Sequence, residues 1–167
     1  MAGIEGLNKV SEFLKAVQRD VFGSSAMAEV GERFRDVIYR RTKSGYGVNN
    51  DQLLSPSKVV LNGLSASYIN QRRKRGVKGA FGSPGTSNLT NTGQLLDSFV
   101  VSAKIGGVSI DIPNTRRKGK GKQDTNKRIA QFVATQGRPF FALTQDEQTL
   151  VRRDIEDRIR KVFTKFF

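Results

Sequence analysis

The stretch Phe99-Val100-Val101-Ser102-Ala103-Lys104-Ile105-Gly106-Gly107-Val108-Ser109-Ile110-Asp111-Ile112 decides the architecture. Phe99, Val101, Ala103 and Ile105 alternate with Val100, Ser102 and Lys104. Val108, Ile110 and Ile112 alternate with Ser109 and Asp111. Successive side chains of a strand point to opposite faces, so each run reads as a strand with one face turned inward. Gly106-Gly107 is the kind of pair that closes a two-residue turn, and the whole stretch is therefore read as a β-hairpin over about 98–112.

On either side the period changes from two to between three and four. Ile4, Leu7, Val10, Leu14, Val17 and Val21 form one apolar stripe on a helix of about five turns. Met27, Val30, Phe34, Val37 and Ile38 form a second, ending in Arg40, Arg41 and Lys43, cations that suit a helix C-terminus. Gly23-Ser24-Ser25 separates the two, which reads as a helical hairpin or a bent arm. Ser55-Pro56 starts a short helix running into Arg72-Arg73-Lys74-Arg75, and Thr92 to Leu96 reads as one helical turn. Asp124 or Thr125 caps a helix with Ile129, Phe132 and Val133 on one side, which Gly137 and Pro139 end. Phe140 to Leu143 is a candidate short strand. Thr144-Gln145-Asp146-Glu147 is a capping box opening the last helix, with Leu150, Val151, Ile155, Ile159, Val162, Phe163 and Phe166 inward. Asp154–Arg158, Glu156–Arg160 and Asp157–Lys161 stand at i,i+4 on its outer face.

Helices flanking one hairpin give an α+β class: N-terminal amphipathic helices, a small antiparallel sheet, and helices packed on it, including a long C-terminal one. The length of 167 residues fits a single domain over 1–167. Residues 1–23 are a possible helical arm, and 76–88 and 113–124 read as flexible basic or Gly-rich loops.

The composition excludes much chemistry. The chain has no Cys and no His, which removes disulfides, thiol nucleophiles, His-ligated metals and His acid–base catalysis. Its acids lie mainly on the last helix, each with a Lys or Arg one turn away, whereas paired-carboxylate chemistry needs acids facing each other in a cleft. The Gly-Lys pairs at 119–122 lack the spacing of a phosphate loop. The expectation is a protein that is not an enzyme, with no catalytic, cofactor-binding or metal residues and no cofactor. An acidic start and the lack of an apolar run of about 20 residues read as a cytosolic chain that meets no membrane.

What remains is charge. Lys plus Arg number 29 against 15 Asp plus Glu, a net +14, which points to a polyanion or an acidic neighbour. Arg72, Arg73, Lys74, Arg75 and Lys78 form one basic run; Arg116, Arg117, Lys118, Lys120 and Lys122, extended by Lys127 and Arg128, form another. Cations on such loops neutralise phosphates and release counterions, so they bind any sequence and weaken with salt. With no Trp and few aromatics among these residues, base stacking is not indicated.

The segment Ser87-Asn88-Leu89-Thr90-Asn91-Thr92-Gly93-Gln94-Leu95-Leu96-Asp97-Ser98 precedes the hairpin. Gln136-Gly137-Arg138-Pro139-Phe140-Phe141 then precedes the long last helix. Leu54-Ser55-Pro56 and Ser67-Tyr68-Ile69 lead to the first basic run, and an amphipathic helix leads to Gly45-Tyr46-Gly47. This order, over roughly residues 25–163, resembles tailed-bacteriophage neck and tail-completion proteins, a group that includes Mu-type virion-morphogenesis proteins and lambda-type minor tail protein Z. Thr92, Gly93, Leu95, Arg138, Pro139 and Phe140 are the family-like structural positions. The 113–124 segment is longer and more basic than the resemblance leads one to expect.

The resemblance implies a virion protein that forms a ring at the head–tail junction, assembled in the host bacterial cytoplasm. Six copies are favoured, with twelve as the alternative. Its partners would be itself, portal- or adaptor-side neck proteins, tail terminator or tail tube and sheath proteins, and passing double-stranded DNA read without regard to sequence. The two basic runs would line the DNA channel or meet an acidic neighbour, and binding to duplex would be weak. The alternative is a stand-alone, non-specific nucleic-acid-binding protein.

Overall fold

A computed structural model describes residues 2–48, 66–76, 94–115, 125–135 and 139–167. Among them lie α1 (Ala2–Asp20), α2 (Ser24–Lys43), α3 (Ala66–Lys74), a 3-10 turn (Leu96–Ser98), β1 (Val100–Lys104), β2 (Gly107–Asp111), α4 (Asn126–Thr135) and α5 (Gln145–Phe166). The two strands form one antiparallel sheet, and the class is α+β, as the patterning predicts. The packing resolves two compact units whose segments interleave along the chain. The first comprises Met1–Phe34, Val101–Ile110 and Gln145–Phe167; the second comprises Arg35–Val100 and Asp111–Thr144.

In the first unit, α1 packs on α5. Ala16, Val21 and Val162 are its buried centre, with Phe13, Val17, Phe22, Ile155, Ile159 and Phe166 packed around them. Phe13 meets Phe163 and Phe167 edge to face, at 5.8 Å in each case. Such ring pairs contribute about 0.5–1.5 kcal/mol beyond the area they bury. The buried face of α1 is therefore Phe13-Ala16-Val17 running to Val21, rotated from the stripe read in the sequence. Leu7, Val10 and Leu14, expected inside, are exposed. On α5, Leu150 and Phe163 are likewise exposed rather than inward. The predicted Asp154–Arg158 pair forms at 3.2 Å. It extends to Arg33–Asp154 at 2.8 Å and Arg158–Glu29 at 3.2 Å, tying α2 to α5 across the surface. At the end of α1, Arg19 donates to Asp20 at 2.6 Å and holds its carboxyl below the ordinary carboxylate range.

The hairpin has the predicted inward face: Val101, Ala103, Val108 and Ile110 are half-buried, and Ser102 and Ser109 are exposed. The Ser109 hydroxyl donates to the Ser102 carbonyl at 3.4 Å, so these two residues stand opposite each other. The turn lies one residue earlier than read, at Ile105-Gly106. Gly106 has φ +72°, a conformation a side chain disfavours, and its N–H donates to the Phe22 carbonyl at 2.8 Å. Ile105 is displaced from the inward row into the turn and is exposed.

Gly31 marks where α2 meets this hairpin. A Cβ there would overlap both Val101 Cγ1 and Val108 Cγ2. Neither valine can swing aside, because a β-branched side chain is restricted at χ1. Gly31→Ala is expected to cost about 1–3 kcal/mol through overpacking, measured by urea unfolding. Val108→Ala in the same chain is expected to recover part of it; a Gly31→Ala protein as stable as the parent would contradict this close approach.

In the second unit, Leu95, Leu96, Phe99, Ile112, Ala130, Val133 and Phe140 are buried. Thr125, one of the two caps considered, accepts from the Arg128 N–H at 3.3 Å and starts α4. Asn126 is buried and donates through Nδ2 to the Gln94 carbonyl at 3.1 Å, fastening α4 to the segment before the hairpin. Phe132, read as inward, is exposed. Residues 140–143 form no strand. Their place is set by ring contacts and one backbone bond: Phe140 stacks on Phe99 at 6.5 Å, Phe141 meets Phe99 at 5.1 Å, and the Val48 N–H donates to the Pro139 carbonyl at 2.8 Å. The helix start at Ser55-Pro56 and most of the two predicted loops, 77–88 and 116–124, lie outside the described residues.

Candidate polyanion-contact surface

Charge is divided unevenly between the two units. The second holds 18 of the 29 Lys and Arg residues and 5 of the 15 Asp and Glu, a net +13. The first holds the remaining 11 cations and 10 anions, a net +1. Nearly all of the excess positive charge of the chain therefore belongs to one compact body. In the other body acids and bases are nearly equal in number, and the Arg33–Asp154–Arg158–Glu29 chain of ion pairs joins four of them.

Within the basic unit, the end of α3 is where cations are concentrated on described residues. Arg72, Arg73 and Lys74 fill its last turn, and Arg75 follows before Gly76. Cations are favourable there because the last helical carbonyls carry partial negative charge. Arg73, Lys74 and Arg75 are exposed. Arg72 is not: only 3% of its surface is accessible, and it is engaged within the protein. The expectation that Arg72 meets a polyanion is corrected accordingly, since a guanidinium with that burial is a structural group. Helical periodicity allows the split: successive residues on a helix point in different directions, and of the three on α3 it is Arg72 that turns toward the protein.

The same unit adds exposed Arg40 and Lys43 at the end of α2, and exposed Lys127 and Arg128 on α4. Lys43 lies over the Tyr39 ring at 5.5 Å from its centre. Lys127 pairs with Asp111 at 3.6 Å, an exposed contact of small energetic weight. Of the other predicted contact residues, Lys78, Arg116, Arg117, Lys118, Lys120 and Lys122 lie outside the described residues. So do Thr92, Gly93 and Arg138 of the family-like positions, whereas Leu95 and Phe140 are buried and Pro139 is half-buried.

Arg41, read from the sequence only as one of three cations closing α2, ties that helix to residues 140–142. Its Nη2 donates to the carbonyls of Phe140 (2.8 Å) and Ala142 (2.7 Å), about a hundred residues away in the chain. Its neighbours Arg40 and Lys43 have the same charge and flank it closely, so composition does not mark it. The only cue was that an apolar segment without strand partners needs donors for its carbonyls.

The exposed cations of this surface include Arg73, Lys74 and Arg75 at the end of α3, while Lys127 is paired with Asp111. Among the described residues, no group of three or more Asp or Glu side chains is placed to hold a metal ion, and no helix is long and apolar enough to cross a membrane. A shallow depression of about 320 Å³ in the first unit is lined by Lys15, Gln18, Arg19, Gly23, Ser24 and Ile105, with no carboxylate facing into it. No family model, curated protein or solved structure matches the chain.

Proposed function

We propose that this chain is a structural virion protein that forms a ring at the head–tail junction of a tailed bacteriophage. In this reading the basic unit faces the passing DNA or an acidic neighbouring ring, and the neutral unit packs copies together. The observation that carries the proposal is the division of charge, +13 against +1. A ring around DNA needs both properties: one surface that tolerates phosphate of any sequence, and another on which like copies approach without repulsion. The order of motifs along the chain supports the same reading.

Sequence-independent contact also suits the mechanism. Exposed cations at the end of α3 hold phosphates by charge alone, so a duplex can slide past them. Tight binding would retard ejection; the expected affinity for duplex at physiological salt is therefore weaker than about micromolar, within the range of non-specific binding.

Electron microscopy of lysates from a phage with this gene interrupted tests the proposal. Filled heads and finished but unattached tails are the expected result. Tails of uncontrolled length would move the ring to the tail-terminating position. Normal infectious particles would overturn the proposal, and the basic unit would then be the surface of a stand-alone nucleic-acid-binding protein.

A further inference from the structure

We infer that α3 lies along a phosphate strand of duplex DNA, with the Asn70 and Gln71 amides donating hydrogen bonds to its oxygens between the cations. The inference rests on the reading that the basic unit meets passing DNA, and it adds a neutral, directional contact to the charge.

The helix supplies the geometry. Ser67, Asn70, Gln71 and Lys74 stand at i, i+3, i+4 and i+7, on one face. All four are exposed. Ile69, half-buried, and Arg72, buried, lie on the opposite side and fix that face outward. The Arg75 N–H still donates to the Gln71 carbonyl at 3.2 Å, so the helical direction persists one residue beyond α3. Arg73 and Arg75, both exposed, therefore stand about 100° to either side of the face. Gly76, with φ +66°, ends the turn, and its N–H donates to the Arg73 carbonyl at 3.1 Å. Two amides thus lie on an outer face that ends in Lys74 and is flanked there by two guanidinium groups.

The composition of the helix points to the chemistry of its ligand. α3 has no Asp or Glu, and it belongs to the unit of net +13. On α5, by contrast, Arg158 meets Asp154 one turn away at 3.2 Å. The carbonyls that close a helix carry about half a negative charge, and three exposed cations outweigh it, so this end attracts anions. Cations and amides hold a phosphate in different ways. A cation acts by charge over a wide range of angles, whereas an amide N–H acts only near its own bond direction. Neither contact carries sequence information when it goes to the backbone, so a duplex of any sequence is accepted.

Salt separates the two kinds of contact, because only ionic ones release counterions. Binding of the full chain to a 30-base-pair duplex is followed between about 50 and 200 mM salt. Asn70→Ala combined with Gln71→Ala is expected to weaken binding about tenfold at each salt concentration, with the slope of log K against log salt unchanged. Lys74→Gln is expected to lower that slope by about 0.9. Gln131→Ala removes an exposed amide from α4 in the same unit and is expected to change neither quantity. Alanine favours the helix, so the helicity and melting temperature of the double variant are expected to match the parent. A double variant within twofold of the parent, while Lys74→Gln lowers the slope, would overturn this inference and leave contact by charge. A difference above tenfold between duplexes of unlike sequence would move the amides to base edges and overturn it as well. A parent protein that binds no duplex at the lowest salt would overturn both the inference and the reading of the basic unit as a DNA-facing surface.

Discussion

Replacing Arg41 with methionine is expected to destabilise the protein by about 3 kcal/mol, a fall of roughly 10 °C in melting temperature for a chain of this length. Two hydrogen bonds are lost at once, at 2.8 Å to Phe140 and 2.7 Å to Ala142. Each comes from a charged donor, the stronger kind. The cost is larger than two exposed bonds would carry, because the segment they hold seats Phe140, of which only 1% is accessible, against Phe99. When the carbonyls lose their donor, the ring loses its seat. Methionine keeps the apolar stem and isolates the guanidinium effect. Arg41→Lys is expected to recover at most half, since both bonds come from Nη2 and the lysine stem is one bond too short to carry its ammonium to that position. Thermal and urea unfolding read the result; Arg41→Met within 0.5 kcal/mol of the parent would show that residues 139–142 are held without the guanidinium, by the aromatic contacts and the Val48 bond to Pro139.

The hairpin was legible because alternation over ten residues leaves little choice, and its inward face followed from the pattern. The turn position did not: Gly106 and Gly107 look alike in sequence, and only the backbone conformation of Gly106, φ +72°, distinguishes them. The facing of α1 was misread for a different reason. The predicted stripe holds at Val17 and Val21, which lie in the core, and fails at Leu7, Val10 and Leu14, where an adjacent stripe through Phe13 and Ala16 is buried instead. Which one is buried depends on α5, some 140 residues later. The cationic end of α3 was legible as charge, yet the burial of Arg72 depends on which side of that helix faces the protein. Most of all, the total of +14 could be read from the sequence, whereas its division could not. The acids of α5 and of residues 1–34 fall in one unit only because the chain returns to its start after residue 144.

That division is the central claim, and a matched pair of variants tests it most directly. One changes exposed Arg73, Lys74 and Arg75 of the basic unit to glutamine; the other changes exposed Arg152, Arg153 and Lys161 of the neutral unit. Each removes three charges, so the two proteins have the same net charge and differ only in where it was lost. Binding to a 30-base-pair duplex, measured against salt, then isolates position from quantity. Each phosphate contact contributes about 0.9 to the slope of log K against log salt, so the first variant is expected to lose about 2–3 in slope and roughly a hundredfold in affinity at low salt. The second is expected to stay within about twofold of the parent, with its slope unchanged. Equal weakening of the two variants would contradict the account, because DNA would then be responding to the total charge of the chain and not to the surface that carries it.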